Sequence, residues 1–134
     1  KLFKLPIENT LEGVPTKEFW CPGSTLNIAV DNSHPIAYGM PQNSTTLYRQ
    51  SPSLLVSAIE GGANVAIPAR YHEQNLLQSG WLLGEKHLSN RPVVIEFQVE
   101  KGKVIILATP AQFRAQMHGT FKFLFNSIFY GAAE

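Results

Sequence analysis

A single cysteine and four histidines are the side chains of this 134-residue chain that stand out as candidates for nucleophilic or metal chemistry. Cys21 lies in the stretch FWCPGS and has no histidine beside it. A reactive thiolate needs a histidine, a basic pocket or a helix N-terminus to lower its pKa, and no strand–turn–helix elbow is visible there. We therefore interpret Cys21 as a buried structural residue, because a free cysteine usually behaves as a small hydrophobic side chain.

The histidines are not spaced as metal ligands. Zinc sites show local pairs such as H-E-x-x-H or C-x-x-C, and the sequence contains neither pair. His72 and Glu73 are adjacent, so on a strand they would point to opposite faces of the sheet. We predict no metal site and no cofactor in this chain. His34 precedes Pro35 in the turn-forming stretch DNSHP, where we expect its ring to bond the backbone.

Arg114 and His118 are the strongest candidates for a polar site, because a spacing of four residues places them on one face of a helix. They follow a strand-like run, and in open α/β sheets ligands gather at the carboxyl ends of strands. Two interpretations stay open at this point. The pair could line a small-molecule site, or Arg114 could satisfy carbonyls or a carboxylate across an interface with its planar donor fork. Together with His34, these residues are our candidates for ligand or interdomain contacts.

The elements that must position these residues are clearest in the C-terminal third of the chain. The stretch PVVIEFQVEKGKVIILATP has two β-prone runs around Lys101-Gly102, a pair typical of a two-residue hairpin turn with positive φ. A hairpin closed there pairs Val99 with Val104 and Phe97 with Ile106. In the first strand apolar and polar side chains alternate, as in an edge strand with one solvent-exposed face, whereas the second strand is apolar on both faces. We therefore predict that the second strand lies in the sheet interior.

A helix is predicted directly after this hairpin. Thr109-Pro110-Ala111-Gln112 has the form of a capping box with proline at the first helical position. Beyond it, apolar residues recur at helical spacing and fall on one face: Phe113, Met117, Phe121, Leu124, Phe125 and Ile128. Gly119 interrupts the pattern, so either one kinked helix or a short turn followed by a longer helix is possible. In both cases we expect the sheet to cover the apolar face.

Further upstream, the runs LNIAV, SLLVSAIE and NVAIPARY look like strands, the last two separated by Gly61-Gly62. Many strands and one helix predict an α/β fold (α+β in this chain) with a mixed β-sheet, a C-terminal hairpin and a C-terminal helix. No repeat or linker divides residues 1–134, which we interpret as a single domain or partial domain. The N-terminus lacks an initiator methionine and a signal-peptide h-region, and we expect it to lie inside a longer protein.

Composition argues against several classes of partner. The net charge is +1 and the 11 lysines and arginines are scattered, so no basic stripe for nucleic acid is present. No apolar segment approaches the roughly 18 residues of a membrane span. The chain is 44% hydrophobic and 16% charged, which fits a folded domain with one sizeable core. We expect neither nucleic acid nor a membrane as a partner.

Three longer phrases carry a family resemblance that covers nearly the whole chain: EGVPTKEFWCPGSTLNIAVDNSHPIAYGMP, NLLQSGWLLGE and KGKVIILATPAQFRAQMHGTFKFLFNSIFYG. Together they resemble the C-terminal region of bacterial zinc-carboxypeptidase-like proteins. In that family a metallocarboxypeptidase-type catalytic domain is followed by a domain similar to class I glutamine amidotransferases, with a flavodoxin-like fold. The resemblance implies that this chain is the second half of that last domain, and it suggests a periplasmic or secreted protein.

The catalytic residues of that family have no counterpart here. The H-x-x-E…H zinc ligands are absent, so the resemblance places zinc only in the missing catalytic domain. The nucleophile motif G-x-C-x-G of amidotransferases is absent too, and Cys21 does not replace it. The leading hypothesis is a noncatalytic C-terminal module used for interdomain packing or substrate presentation, with the catalytic domain of the same polypeptide as its partner. The alternatives are an amidotransferase-like or small-molecule site at the strand ends, and a dimerisation module built on the hairpin edge.

Overall fold

The computed structural model describes residues 5–57 and 64–132. In these ranges eight strands are followed by one α-helix, α1 (Phe121–Gly131). The strands are β1 (Ile7–Asn9), β2 (Ser24–Val30), β3 (Asn43–Tyr48), β4 (Leu54–Val56), β5 (Val65–Tyr71), β6 (Leu77–Ser79), β7 (Pro92–Val99) and β8 (Gly102–Leu107). The predicted strands upstream of the hairpin correspond to β2, β4 and β5, whereas Gly61-Gly62 lies outside the described residues. No helix in the described ranges is long and apolar enough to cross a membrane.

The main sheet has six strands in the order β3-β2-β5-β7-β8, with β6 paired to the first half of β2. Strands β1 and β4 form a separate two-stranded sheet. Every pairing among the described strands is antiparallel, so the sheet that we predicted as mixed is antiparallel where the structure describes it. The chain is therefore mostly β-sheet, with one helix at its C-terminal end.

The predicted hairpin is present, but its register differs by two residues. Phe97 pairs with Val104, and Val99 pairs with Gly102, so the two-residue turn is Glu100-Lys101 rather than Lys101-Gly102. Glu100 takes the positive φ of 52°, and Gly102 lies in ordinary strand conformation. Because the side-chain period of a strand is two residues, a shift of two leaves every side chain on the face that was predicted.

The predicted order of the two hairpin strands is wrong. Strand β7 lies between β5 and β8, whereas β8 is the terminal strand of the sheet. Strand β8 is nevertheless apolar on both faces because α1 packs over one of them, where Ile105 and Leu107 join a cluster with Phe123. The face of β7 that looked solvent-exposed is covered at Glu96, which is only 8% exposed and accepts a bond from Tyr130 of the same helix.

The predicted helix start is wrong as well. Thr109 does not cap a helix, because its hydroxyl bonds the Thr46 hydroxyl at 2.6 Å and the Leu47 carbonyl at 2.8 Å. Residues 109–120 form an irregular segment with 3-10 turns at Phe113–Ala115 and His118–Thr120. Of the two alternatives that the sequence left open, the short turn followed by a longer helix is confirmed.

The apolar face of α1 is not the predicted one. Phe123 is fully buried in the main core, whereas Phe125 is 55% exposed and Ile128 is 60% exposed. Phe123 and Tyr130 lie on the covered side of the helix. The apolar residues of this helix therefore lie on two sides, one that covers the core and one that faces solvent.

The sheet curls so that the chain leaving β8 reaches the opposite edge of the sheet. Thr109, just after β8, reaches the outer edge of β3 through its bonds to Thr46 and Leu47. Thr120 continues this seam by donating to the Ala111 carbonyl at 2.7 Å. The curl leaves an open concave side, and α1 inserts Phe123 into it among Leu26, Ile28 and other apolar residues of the main core. A smaller core on the other face of β7 contains Ile95 and Phe97.

Glu100 should be a source of strain that can be relieved. A non-glycine residue with positive φ destabilises the folded state by about 1–2 kcal/mol. Glycine removes this strain, but it loses more chain entropy on folding, which offsets part of the gain. We expect Glu100→Gly to raise the free energy of unfolding by up to about 1 kcal/mol in urea denaturation. Lys101→Gly is the matched control, because Lys101 is not among the residues with positive φ. It should lower the same quantity, and equal effects of the two changes would place the strain elsewhere.

Tyr71 and Tyr48 form a second matched pair. Both are buried, but the Tyr48 hydroxyl donates to the Ser51 carbonyl at 2.6 Å, whereas the Tyr71 hydroxyl has no hydrogen-bond partner within residues 5–57 and 64–132. An unsatisfied buried polar group costs about 1–3 kcal/mol. Tyr71→Phe should therefore raise the free energy of unfolding or leave it unchanged, and Tyr48→Phe should lower it by about 1 kcal/mol.

The same pair predicts how stability depends on alkaline pH. Burial raises the pKa of both phenols above their ordinary value, so the folded state keeps protons that the unfolded state loses. Stability is then fully present below the unfolded pKa of about 10 and falls as the pH rises above it. Tyr71→Phe should reduce this alkaline loss in chemical denaturation at a series of pH values. An unchanged pH dependence in that variant would contradict the assignment.

Candidate functional site

Arg114 and His118 lie on the irregular segment before α1, and both are exposed. The Arg114 guanidinium lies over the Phe113 ring, 5.2 Å from its centroid, and the His118 ring lies 5.2 Å from that of Phe121. Arg114 has a φ of 49° and a ψ of 33°, so the two residues do not share a helix face. The structure therefore places each side chain against its own aromatic neighbour, and the pair forms no common site.

His34 lies where the sequence places it, in a turn before Pro35, and it bonds the backbone as predicted. Its Nδ1 accepts a hydrogen bond of 3.3 Å from the N–H of Ile36, which caps the 3-10 turn Pro35–Ala37. Proline at the first position of that turn has no N–H of its own to satisfy. Because Nδ1 is an acceptor here, the ring proton is carried by Nε2.

That second nitrogen faces a carboxylate which the sequence did not single out. Nε2 of His34 lies 3.1 Å from Oε2 of Glu96 on strand β7. The contact is close, but its alignment does not make a hydrogen bond, and Oε2 has no other partner among the described residues. The other oxygen, Oε1, accepts a bond of 3.3 Å from the Tyr130 hydroxyl on α1. One buried carboxylate thus joins a loop, a strand and a helix.

Tyr130 completes this cluster of three side chains, which we call the His34–Glu96–Tyr130 cluster. Its ring meets the His34 ring edge-on at 5.7 Å, and the Lys103 ammonium lies 4.3 Å from its centroid. Lost hydration, followed by the nearby Glu96 carboxylate, raises the pKa of the Tyr130 phenol above its ordinary value. The phenol therefore stays protonated and keeps donating to Glu96.

An open groove of about 480 Å³ lies beside the cluster, between α1 and the loop that follows β2. Its lining is mostly apolar and consists of Ser33, Pro35, Tyr38, Asn126, Phe129 and Tyr130. The floor of the groove is fixed by α1, since the Asn126 amide donates to the carbonyls of Ile36 and Tyr38 at 3.1 Å each. Lys122 adds a bond to the Gly39 carbonyl.

The chemistry available at this place is limited. Nδ1 of His34 accepts a backbone N–H, and Nε2 faces the Glu96 carboxylate, so neither nitrogen points toward the groove as a general base would. His34 and Glu96 also lie outside the groove lining. The cluster therefore fastens the loop to the helix, and the groove beside it has a mostly apolar lining.

Cys21 is buried and free, as the sequence predicts. Burial raises the pKa of its thiol, and a bond with Ser24 offsets only part of that effect. A thiol with a raised pKa is a poor nucleophile at neutral pH. The described residues also contain no group of three or more histidine, cysteine, aspartate or glutamate side chains that could hold a metal ion.

Sequence reasoning missed Glu96 and Tyr130 for different reasons. Glu96 alternates with apolar residues and therefore looks like a solvent-facing position of an edge strand. Tyr130 lies on the side of α1 that the predicted apolar stripe left out. Only the packing of α1 beside β8 brings Tyr130 to Glu96, and no local pattern encodes that packing.

The chain has no significant match among models of known protein families, among curated proteins or among solved structures.

His34 and His118 provide a matched test of this site. His34→Ala removes the cap on the Ile36 N–H and a neighbour of the buried Glu96, so it should lower the free energy of unfolding by about 1–3 kcal/mol. His118→Ala changes an exposed side chain and should stay within about 0.5 kcal/mol of the original chain. Urea denaturation measures both. Equal effects of the two substitutions would mean that the His34–Glu96–Tyr130 cluster does not hold the loop.

Proposed function

We propose that this chain is a noncatalytic accessory module that packs against another domain of the same polypeptide through the outer face of α1. The observation that carries this proposal is the exposure of large apolar side chains on that face. Phe125 and Ile128 are more than half exposed, and Phe129 is 77% exposed. Their spacing of three and four residues makes them one continuous strip along the helix.

The strip is unusual for a surface that stays in water. Lys122 is the one charged residue among the eleven of α1, so no ring of charges separates the apolar side chains from solvent. Tyr38, which is 77% exposed, stands across the groove from Phe129 and extends the strip. A contiguous apolar surface of this kind marks a contact site more often than a solvated face.

The strength of such a contact can be bounded. An aromatic side chain buries about 150–250 Å², at about 25 cal/mol per Å². Burying the exposed part of Phe125 or Phe129 would then contribute roughly 2–5 kcal/mol each. Two such anchors are enough to make them dominant residues of an interface, where a few aromatic side chains usually carry most of the binding energy.

The absence of a catalytic arrangement supports the noncatalytic part of the proposal. The buried thiol of Cys21 has a raised pKa, His34 has no free nitrogen, and Arg114 and His118 point to separate neighbours. In the described part of the chain we find no nucleophile with a base in reach. A small-molecule site at the strand ends has no observation in its favour.

The identity of the partner domain comes from the resemblance. It implies a zinc metallocarboxypeptidase-type catalytic domain upstream, and a flavodoxin-like, amidotransferase-like fold for the domain to which this chain belongs. The described strands all pair antiparallel, so any parallel strands of a flavodoxin-like sheet would belong to residues outside 5–57 and 64–132. Presentation of peptide substrates to the catalytic domain is compatible with the same contact, since the groove lies along its edge.

A double substitution on α1 tests this proposal. The double variant Phe125→Ser, Phe129→Ser should change the free energy of unfolding by no more than about 1 kcal/mol, because both rings are largely exposed. It should weaken binding to the upstream polypeptide, expressed as a separate chain, by at least about tenfold in calorimetric titration. Trp81→Ser is the matched control, because this exposed aromatic residue lies beside Ser24 at the start of β2, far from the groove. It should bind like the original chain.

Two results would overturn the proposal. One is binding of the upstream polypeptide that the double substitution leaves unchanged. The other is turnover of a peptide substrate by this chain alone in the presence of zinc, which would make it an enzyme in its own right.

A further inference from the structure

We propose that the free edge of β8 pairs with β8 of a second copy of this chain, so that the sheet continues across a two-fold axis near Ile105. This proposal concerns a different surface from the outer face of α1 and does not depend on the function proposed above. It starts from the position of β8 at the end of the sheet, where β7 is its sole strand partner in the described residues.

The backbone groups of β8 that point outward can be identified from the register. The bond from the Ala108 N–H to the Val93 carbonyl, at 2.8 Å, continues the β7–β8 ladder. In an antiparallel ladder alternate residues direct their N–H and C=O groups to the same neighbour. Val104 and Ile106 therefore bond β7, and Ile105 and Leu107 direct their backbone groups to the free edge.

The exposure of β8 agrees with an open edge. Both faces of the strand are covered, since Ile105 and Leu107 belong to the main core cluster and Val104 and Ile106 to the smaller one. All four residues are nevertheless only half-buried. This residual exposure is what an open edge predicts for a strand with apolar neighbours on both faces.

Most of this edge lacks the features with which proteins usually protect a terminal strand. Such edges carry charged side chains, above all lysine, or proline or a bulge. Strand β8 has no proline, and its register with β7 runs without a shift from Gly102 to Leu107. Its one charged residue, Lys103, lies at the start of the strand with its ammonium over the Tyr130 ring, so residues 104–107 carry no charge. The opposite edge of the sheet, β3, is by contrast covered by Thr109 at Thr46 and Leu47.

A second copy fits this edge better than an unrelated strand. With the two-fold axis at Ile105, each Ile105 faces its own equivalent, and each Lys103 faces a Leu107 rather than another lysine. No like charges then stand opposite each other. Apolar side chains also meet apolar side chains on both faces of the joined sheet. An isologous contact of this kind is the commonest way in which identical chains assemble.

The test uses cysteine at the axis. Equivalent residues of a hydrogen-bonded antiparallel pair have Cα atoms about 5.5 Å apart, within the range that a disulfide can span. Ile105→Cys should therefore give mostly disulfide-linked dimer after mild oxidation, as seen in non-reducing denaturing electrophoresis. Ile128→Cys is the matched control on the exposed side of α1 and should form no disulfide cross-link. The native Cys21 is buried and should not contribute to the cross-link.

A second variant tests the backbone itself. The Ile105 N–H points outward, so Ile105→Pro removes a donor to the second copy and none to β7. Sedimentation equilibrium should show a dimer for the original chain and at least a tenfold weaker association for Ile105→Pro, with circular dichroism confirming that the variant is folded. If Ile105→Pro does not fold, the cross-link of Ile105→Cys decides.

Three results would overturn the proposal. The first is that the original chain stays monomeric up to its solubility limit, which would mean that no second copy pairs with this edge. The second is a dimer in which Ile105→Cys does not cross-link. The third is a cross-link through Ile128→Cys instead, which would mean that copies meet through α1.

Discussion

The insertion of Phe123 into the concave side of the curled sheet is the contact on which the rest of this structure depends. The ring is fully buried among residues of β2 and of the loop that follows it. Together with the bonds of Asn126 to Ile36 and Tyr38, this anchor sets the rotation of α1 about its own axis. Because the helix cannot turn, Tyr130 must reach Glu96 on one side, and Phe125 must face solvent on another. The polar cluster, the groove and the exposed strip therefore have one cause.

The sequence predicts the strands well and their arrangement poorly. The alternation of side chains is local, so it identifies β2, β5 and the two hairpin strands, and it assigns the correct face to Phe97 despite the error in register. The position of a strand within the sheet is not local. Strand β8 looks interior because it is apolar on both faces, but half of that apolar surface is covered by a helix rather than by a neighbouring strand.

The start of the helix shows how a tertiary contact overrides a local signal. Thr109 and Gln112 have the spacing of a capping box, and nothing near them in sequence argues against it. The hydroxyl of Thr109 bonds instead to Thr46, a residue distant in sequence, and the helix begins only at Phe121. The candidate site likewise combines contacts that are local in sequence with contacts that the fold creates. The bond of His34 to its own turn is local and could be predicted, whereas its contact with Glu96 requires the fold.

The position of α1 after all of the described strands has a consequence for how the molecule is made. A chain leaves the ribosome from its N-terminus at about 5–20 residues per second, so the sheet can pair before its covering helix exists. During that interval the hollow that Phe123 will occupy is open to water, along with the inner face of β8. The nascent sheet would then expose this apolar surface until α1 has been synthesised and has left the ribosome.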